Sequence, residues 1–390
     1  MEVADPPCPF ERVAILGLGL MGGSLGMALK GVESWGREGA PVVVGWNRTA
    51  ERTKEALERG VIDVAASDLT EAADGADLIV VATPVSTVAE IAIASSVASA
   101  PGAVITDVGS VKREIVTAVE SDLGGEHHFI GGHPMCGSEL AGLDAARADL
   151  YEGATWVLTP TSRTDHGAFK RLQQLIRELG ARVLTVDPES HDEFVAVVSH
   201  LPHLTAAALL NVAAGQAAEA GALLQLAAGG FRDVTRIASG SPALWADICA
   251  ANRAAITSSL DALVEQIRDL RSAIANGDTA EVSDLLEGAR EVRAALPVPS
   301  AVRATLCEVV VPVPDRPGIL AEVSTIAGRM GVNIEDIGIT HSVEGTEGIL
   351  ELLIAGQAEA QRVIKVLREH GFNAALRGEP ARQVLGSEDQ

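Results

Sequence analysis

The chain has 390 residues, of which 53 are acidic and 30 basic, so its formal net charge is −23 at pH 7. An acidic surface of this size repels phosphate backbones and anionic lipid, which argues against a nucleic-acid-binding or membrane-surface protein. The length predicts two or three domains, because one hydrophobic core seldom serves more than about 250–300 residues. The four cysteines are far apart in sequence and indicate neither a zinc site nor a disulfide framework, which favours a cytoplasmic location.

Short apolar strands alternate with helical segments in the first half of the chain. The predicted strands are Arg12–Leu16, Pro41–Trp46, Asp77–Ala82, Ala103–Thr106, Phe129–Gly131, Thr155–Leu158 and Arg182–Thr185. Strands that are apolar on both faces and alternate with helices are typical of a parallel sheet covered on both sides. Residues 10–187 are therefore predicted to form one α/β domain.

Residues 188–296 are predicted to form an all-helical substrate and dimerisation domain, because long Ala/Leu segments replace the strands. Ser190 and Glu193 have the spacing of a capping box, which predicts that the first helix begins there. The most apolar stretch, Leu204–Gly230, contains several polar residues. We therefore expect it to pack in a soluble core or a dimer interface rather than to span a membrane.

Strand patterns return after the proline-containing linker Ala294–Arg303. The predicted order in residues 304–378 is strand, helix, strand, strand, helix, strand, in which the first helix covers Ile319–Met330. This order is that of a small ferredoxin-like domain.

A glycine-rich turn joins the first strand to the first helix. Its sequence, Gly17-Leu18-Gly19-Leu20-Met21-Gly22, is a GxGxxG motif. Glycine permits the tight turn and lets the backbone approach a pyrophosphate, which the helix N-terminus attracts. The motif predicts a Rossmann-type dinucleotide-binding domain, in which Thr83 and Pro84 also contact the cofactor.

The end of the second strand bears on the choice between NAD and NADP. An NAD site usually has an acidic residue there for the ribose hydroxyl, whereas this chain has Asn47 and Arg48. Arg48 can pair with a 2′-phosphate, and Asn47 can hydrogen-bond to it. The alternative is that Arg48 is an ordinary solvated residue, so NADP is favoured and NAD is not excluded.

Two candidate residues follow later strands of the sheet. His133 lies in His133-Pro134-Met135-Cys136-Gly137, where a rigid loop is predicted, and a histidine held there can act as a general base near neutral pH. A structural role is the alternative. Ser110, after the strand ending at Thr106, can bind substrate or nicotinamide, although on spacing alone it is better explained as the cap of the next helix.

The helical domain contributes two further groups of polar residues. His200 and His203 are three residues apart, but no HExxH motif accompanies them, so no metal site is predicted. Arg236 can hold a substrate carboxylate through two hydrogen bonds, and Arg232 can pair with an acidic side chain. An internal ion-pair network explains these arginines equally well.

Five segments in this order resemble the prephenate/arogenate dehydrogenase family of tyrosine biosynthesis. They are GLGLMGGSL from Gly17, TDVGSVK from Thr106, HPMCGSELAG from His133, SHLPH from Ser199 and FRDVTRIASGSPALW from Phe231. The resemblance covers about Arg12 to Leu296. It implies an NAD(P)-dependent oxidative decarboxylation of prephenate, or alternatively of arogenate, in a homodimer.

The same resemblance implies roles for individual residues. His133 would take the proton of the substrate hydroxyl, and Ser110 would orient that hydroxyl. Arg236 would hold a substrate carboxylate with His203 nearby. Glu139 and Trp245 match pocket positions of the family.

The C-terminal segment resembles an ACT domain, a module that senses amino acids. The resemblance rests on Val313-Pro314-Asp315-Arg316-Pro317-Gly318-Ile319-Leu320 and on Val332-Asn333-Ile334. It implies a regulatory site at Pro317, Gly318 and Asn333, for which L-tyrosine is the expected effector. A purely structural dimerisation module is the alternative.

Two other functions remain open. A different NADP-linked hydroxy-acid dehydrogenase would be expected to have a lysine in its helical domain, but residues 201–277 contain none. A nucleotide-binding sensor without catalytic activity would not need His133, His203 and Arg236 together.

Overall fold

The structure is a computed structural model that describes residues 7–124, 126–137, 140–217, 226–295, 306–314, 334–341 and 347–377, with isolated positions between 319 and 332. The chain forms two compact units, residues 1–290 and 291–390. The first unit contains both the α/β region and the helical region. The boundary predicted between those two regions stays a prediction.

An eight-stranded sheet forms the centre of the first unit. Its strands are β1 Arg12–Leu16, β2 Val42–Trp46, β3 Val64–Ala65, β4 Leu78–Val81, β5 Val104–Asp107, β6 His128–Pro134, β7 Thr155–Thr159 and β8 Arg182–Thr185. The spatial order is β3-β2-β1-β4-β5-β6-β7-β8. Six of the seven neighbouring pairs are parallel, which confirms the Rossmann-type α/β fold.

The expectation of a wholly parallel sheet is wrong at one pair, since β6 and β7 are antiparallel. The connection between them holds one short 3₁₀ turn, Leu143–Ala145, and no crossover helix within its described residues. Parallel neighbours need a crossover, whereas antiparallel neighbours do not.

Helices cover both faces of this sheet. They are α1 Leu20–Gly31, α2 Gly36–Gly39, α3 Ala50–Glu58, α4 Leu69–Ala73, α5 Val85–Ser96, α6 Arg113–Asp122 and α7 His166–Glu178. Along β1, Val13 and Ile15 lie in one hydrophobic cluster, while Ala14 and Leu16 lie in the other. Successive side chains point to opposite faces, so a strand that is buried on both sides must be apolar throughout.

The described residues of the helical region, 188–217 and 226–295, form six α-helices. They are α8 Pro188–Val195, α9 Leu201–Ala217, α10 Gly229–Thr235, α11 Pro242–Ala251, α12 Arg253–Asn276 and α13 Thr279–Ala295. A π-helical turn, Ala196–His200, joins α8 to α9, and a 3₁₀ turn, Arg236–Ser239, follows α10. The structure therefore confirms an all-helical region.

The predicted capping box at Ser190 is wrong, because α8 begins two residues earlier. The Asp187 carboxylate accepts a hydrogen bond from the Ser190 backbone N–H at 2.9 Å, and Pro188 occupies the first turn. An acidic cap followed by proline is a strong helix start, since proline has no N–H to leave unpaired there.

One helical stretch in the described part of the chain, Pro188–Gln216, is long and apolar enough to cross a membrane by length and composition. Its mean hydropathy is 1.5, and 28% of its most apolar window is buried. Core helices of soluble proteins meet the same criterion, so the stretch is weak support for a membrane span.

The second unit contains a four-stranded antiparallel sheet and helix α14, Gln357–Glu369. Its strands are β9 Leu306–Pro314, β10 Ile334–His341, β11 Glu347–Ala355 and β12 Ala375–Leu376, in the order β10-β11-β9-β12. This order is that of a ferredoxin-like sheet. Ile319, Val323 and Ile326, from the predicted first helix, lie in the hydrophobic core of this unit.

Candidate active site

The glycine-rich turn between β1 and α1 has the geometry that its sequence predicts. Gly17 has φ +108°, and a Cβ atom there would lie 2.4 Å from the Ala82 carbonyl oxygen. A Cβ at Gly22 would lie 1.8 Å from the Gly17 carbonyl oxygen. A Cβ at Gly19, by contrast, would meet nothing within 4 Å. Gly17 and Gly22 are therefore required by the fold itself, while Gly19 faces open space.

The N-terminus of α1 is free to bind an anion. Gly19 is the N-cap residue, and no side chain accepts a hydrogen bond from the first turn, which contains Leu20 and Met21. Uncapped helix N–H groups and the helix dipole attract phosphate. The open space at Gly19 and the free helix end together fit the pyrophosphate of a dinucleotide.

A cleft of about 360 Å³ adjoins this turn. Its lining includes Gly17, Gly19, Asn47, Arg48, Arg52, Thr83 and Pro84. The fold thus brings together the ends of β1, β2 and β4, as expected for the carboxyl edge of a parallel sheet. Arg52 was not predicted. It lies in the first turn of α3, and only the fold shows that it lines the cleft.

Asn47 has an internal role as well. Its side-chain oxygen accepts a hydrogen bond from the Leu18 backbone N–H at 3.2 Å, and its own backbone N–H donates to the Thr53 hydroxyl at 3.0 Å. Asn47 therefore holds the glycine-rich turn against β2. Arg48 and Arg52 are the positively charged side chains of the cleft lining.

His133 lies within β6, so the prediction that it occupies a loop is wrong. It is paired with Val157 of β7, and Pro134 is still in the strand. The apolar sequence pattern ends at Gly131, but β6 continues to Pro134 because these residues pair with the antiparallel strand β7. His133 is half-buried near the carboxyl end of β6, at the sheet edge where the glycine-rich turn lies.

The His133 imidazole is the first member of a hydrogen-bonded chain. Its Nδ1 lies 2.9 Å from Nε2 of His191, and Nδ1 of His191 lies 2.8 Å from Oδ1 of Asp192. Both partners are on α8 and are buried. Neither was singled out in the sequence, because a His-Asp pair in a helix has no distinguishing spacing and only the tertiary fold brings it to β6.

A buried ion pair lies behind His133. Lys112 and Asp107 are fully buried and bonded to each other, and Lys112 Nζ donates to the Gly132 carbonyl oxygen at 2.8 Å. Burial lowers the pKa of Lys112, and the Asp107 charge opposes that shift. The pair fixes the backbone of the residue that precedes His133.

The surroundings of His133 favour its neutral form. Burial lowers the pKa of His133 well below its usual 6.5, and the nearby His191, Lys112 and His200 lower it further. A neutral imidazole has a lone pair that can accept a proton. His133 therefore has the charge state that a general base needs.

Ser110 lies in the loop between β5 and α6 and is half-buried. The interpretation of Ser110 as a helix cap is wrong, because α6 begins at Arg113. The N–H groups of Lys112 and Arg113 instead donate to the two carboxylate oxygens of Asp192, at 2.7 Å and 2.9 Å. Ser110 is thus not needed for capping.

The histidines of the SHLPH segment surround Trp245 of α11. His203 stacks on the Trp245 ring at 3.5 Å between centroids, and His200 meets it edge-on at 5.9 Å. The Asn252 side-chain nitrogen lies 3.3 Å from Nδ1 of His200 and donates to the Asp192 carbonyl oxygen. Burial lowers the pKa of His200 to about 4, against the opposing effect of Asp192.

The remaining predicted residues are Arg236, Glu139 and the three regulatory residues. Arg236 is exposed and begins the 3₁₀ turn that leads to Gly240, where a Cβ atom would lie 3.1 Å from the His203 ring. Glu139, like the regulatory residues Pro317, Gly318 and Asn333, lies outside the described residues. No cluster of three or more potential metal ligands is present among the described residues.

A cleft that fits a dinucleotide, and a histidine whose lowered pKa favours its neutral form, lie at one edge of a Rossmann-type sheet, as in nicotinamide-dependent oxidoreductases. The family "Prephenate dehydrogenase, nucleotide-binding domain" matches residues 32–185, and "Prephenate dehydrogenase, dimerization domain" matches residues 187–288. The chain belongs to the prephenate dehydrogenase family.

Several known proteins are similar over most of their length. Prephenate dehydrogenase of Bacillus subtilis (strain 168) is 32% identical over 355 residues, covering 90% of this chain and 94% of the relative. Cyclohexadienyl dehydrogenase of Zymomonas mobilis is 31% identical over 299 residues, covering 75% of this chain and 99% of the relative.

Solved structures agree with this assignment. A. aeolicus prephenate dehydrogenase in complex with hydroxyphenyl propionate and NAD+ has a TM-score of 0.68 and 32% identity, covering 73% of this chain and 97% of that one. Synechocystis arogenate dehydrogenase has a TM-score of 0.63 and 32% identity, covering 73% of this chain and 99% of that one. The chain is accordingly an oxidoreductase rather than a nucleotide sensor.

Proposed function

We propose that this protein catalyses the oxidative decarboxylation of prephenate to 4-hydroxyphenylpyruvate in tyrosine biosynthesis. The observation that carries the proposal is the position of His133, half-buried near the carboxyl end of β6, at the edge of the sheet that holds the glycine-rich turn. Burial lowers the pKa of His133, which favours the neutral form that a general base needs. Arogenate is the second candidate substrate, because the similar Synechocystis enzyme is an arogenate dehydrogenase.

His133 supplies the acid–base chemistry. Its free Nε2 takes the proton from the substrate hydroxyl while the ring carbon that bears this hydroxyl loses a hydride. When bound, a nicotinamide cofactor supplies the acceptor for that hydride. The ring carboxylate then leaves as carbon dioxide, its electron pair makes the ring aromatic, and His133 returns the proton to the phenolate oxygen.

The other site residues hold the substrate. Arg236 supplies a fixed positive charge for a carboxylate of the dianionic substrate, which an otherwise acidic protein must provide locally. His203, stacked on Trp245, forms a flat wall for the substrate ring. Ser110 orients the reacting hydroxyl, and Glu139, which lies outside the described residues, matches a pocket position of the family.

The proposed activity is tested by following the absorbance of the reduced cofactor after prephenate or arogenate is added. Each substrate is combined with NAD and with NADP, and the four values of kcat/KM are compared. Turnover of prephenate supports the proposal. Turnover of arogenate alone would assign the second candidate substrate, and turnover of neither would refute both.

We expect kcat/KM to stay constant as the pH falls through 6.5 and to decline only at lower pH. His133 must be neutral to accept a proton, and its pKa is held below 6.5 by burial and by His191, Lys112 and His200. Protonation, and with it the loss of activity, therefore occurs below that value. Initial rates between about pH 5 and pH 8 test this, with recovery of activity at neutral pH as the control for unfolding. An acidic midpoint above 6.5 would contradict it.

NADP is the proposed cofactor, because Arg48 and Arg52 both line the cleft and no carboxylate does so. Arg48→Ala is expected to raise KM for NADP about 10- to 100-fold, since a charge-assisted hydrogen bond contributes about 1.5–3 kcal/mol and 1.4 kcal/mol corresponds to about tenfold. KM for NAD should change little. Arg268→Ala on exposed α12 is the matched control. Equal effects on both cofactors would argue against 2′-phosphate recognition by Arg48.

We infer that the protein forms a homodimer through its helical region. The family that matches residues 187–288 is described as a dimerization domain. Large apolar side chains on α8, the π-helical turn and α9 are exposed in the single chain: Phe194, Val197, Val198 and Val212. Exposed apolar surface of this kind is commonly covered by a second protein surface. We also propose a cytoplasmic location, because the four widely spaced cysteines indicate no disulfide framework.

We propose that the ferredoxin-like unit is an ACT domain that binds L-tyrosine and inhibits the enzyme. The antiparallel order β10-β11-β9-β12 supports the proposal, as does the motif containing Pro317, Gly318 and Asn333.

L-Tyrosine is expected to inhibit the enzyme, and Asn333→Ala should relieve inhibition without changing kcat. Asn276→Ala on α12 is the control. If calorimetry detects no binding and rates are unaffected, the unit is structural only.

A further inference from the structure

We propose that His191 and Asp192 are positioning residues that fix the tautomer of His133, so that its Nε2 carries the lone pair that receives the substrate proton. This inference rests on the proposed function, because it concerns the proton acceptor of that reaction. It adds to the site two residues of α8, a helix that none of the five sequence motifs covers.

The argument begins at Asp192, whose carboxylate is held by groups that can only donate. The backbone N–H of Lys112 donates to Oδ1 at 2.7 Å, and that of Arg113 donates to Oδ2 at 2.9 Å. The side-chain nitrogen of Asn252 donates to the Asp192 carbonyl oxygen at 2.7 Å. The two backbone N–H groups hold the carboxylate as an acceptor at the N-terminus of α6, where the helix dipole favours negative charge, and the Asn252 bond holds the Asp192 backbone.

An acceptor carboxylate determines where His191 carries its proton. Oδ1 of Asp192 is 2.8 Å from Nδ1 of His191, so Nδ1 must carry the hydrogen. In a neutral imidazole the other nitrogen is then an acceptor. Only 2% of the His191 surface is exposed, and both of its ring nitrogens bond to protein groups.

The acceptor nitrogen of His191 in turn determines the tautomer of His133. Nε2 of His191 lies 2.9 Å from Nδ1 of His133, and the two rings meet edge to face at 69°. Since His191 accepts, His133 must donate from Nδ1. Its Nε2 is left with a lone pair, which is the arrangement that a general base requires.

The same chain stabilises His133 after it has accepted the proton. The new positive charge lies on the His133 ring. The Nδ1–H group of this ring hydrogen-bonds to His191, which in turn hydrogen-bonds to the Asp192 carboxylate. The charged group that faces this chain is Lys112, which is paired with Asp107, while burial lowers the pKa of the neighbouring His200 to about 4 and keeps it neutral. Asp192 is therefore the group that offsets the cationic surroundings of His133.

The sharpest test is Asp192→Asn, which keeps the shape and can reverse the hydrogen-bond direction. An amide has one acceptor oxygen and cannot accept from both backbone N–H groups and His191 together. Where its nitrogen faces His191, it donates to Nδ1, places the His191 hydrogen on Nε2 and makes His133 carry its own hydrogen on Nε2. In a comparable catalytic triad this reversal lowers kcat about 10⁴-fold, and we expect a loss of about 10²–10⁴ here. The dissociation constant of the cofactor should stay unchanged.

Asp187→Asn is the matched control. Asp187 also caps a helix, since its carboxylate accepts from the Ser190 N–H, but its side chain bonds to neither histidine ring. It should retain wild-type kcat. If the two variants lose kcat equally, capping rather than the histidine chain explains the effect, and the inference is overturned.

A second pair of variants separates positioning from folding. His191→Gln keeps an acceptor oxygen for the His133 N–H, whereas His191→Leu removes it. The leucine variant should lose kcat with little change in KM, and the glutamine variant should recover part of the loss. Equal kcat values for the two variants would overturn the inference.

A spectroscopic measurement gives an answer that does not depend on turnover. The chain has nine histidines, and 15N spectra of histidine-labelled protein distinguish protonated from unprotonated ring nitrogens, with His133→Asn assigning the His133 signals. The wild type should have His133 protonated at Nδ1, and Asp192→Asn should move that proton to Nε2. A wild-type proton on Nε2 would overturn the inference even if prephenate is not the substrate.

Discussion

Replacing His133 with asparagine is expected to lower kcat by about 10²–10⁴, the usual contribution of a general base. Asparagine has no lone pair basic enough to accept the hydroxyl proton at neutral pH. The cofactor should bind almost normally, because His133 lies on β6 while the glycine-rich turn follows β1. A loss in kcat with an unchanged cofactor dissociation constant indicates an interaction made in the transition state.

Initial rates with saturating prephenate and fluorescence titration with the reduced cofactor measure these two effects separately. His166→Asn is a suitable control, because His166 is exposed at the start of α7, away from the histidine chain. We also expect His133→Asn to lose the decline in kcat/KM at acidic pH, because protonation of His133 produces that decline. If kcat is unchanged, another group takes the proton and the proposed mechanism fails.

Two glycines of the same turn are expected to respond to alanine in opposite ways. Gly22→Ala places a methyl group 1.8 Å from the Gly17 carbonyl oxygen, so the backbone must move. We expect a loss of about 1–3 kcal/mol or more in the free energy of unfolding, together with loss of cofactor binding. Gly19→Ala adds a methyl group to open space at φ −93°, which alanine adopts easily, so stability should be preserved.

Gly19→Ala should nevertheless weaken cofactor binding at least about tenfold, which corresponds to 1.4 kcal/mol. The added methyl group occupies the space that we assign to the pyrophosphate. Thermal unfolding and calorimetric titration measure the two effects. Gly31→Ala, at the exposed end of α1, is the control and should change neither. Normal cofactor binding by Gly19→Ala would place the pyrophosphate elsewhere.

The sequence by itself determined the fold class and the cofactor turn. Strand β1 is apolar at every inner position because both of its faces are buried, and this pattern is visible without coordinates. The GxGxxG motif was equally visible, since Gly22 is required by its contact with Gly17 in the same turn, and Gly17 by a close approach to the backbone that follows the neighbouring strand β4. Local constraints of this kind leave their signal in the spacing of residues.

The tertiary structure alone decided which groups surround His133. The apolar pattern stopped at Gly131, so the continuation of β6 through His133 and Pro134 depended on pairing with β7. His191 and Asp192 lie 58 and 59 positions further along the chain, in a helix whose sequence has no unusual spacing. Their hydrogen bonds to His133 and to the start of α6 follow from the packing of α8 against the sheet, and no pattern in a single segment records contacts between distant segments.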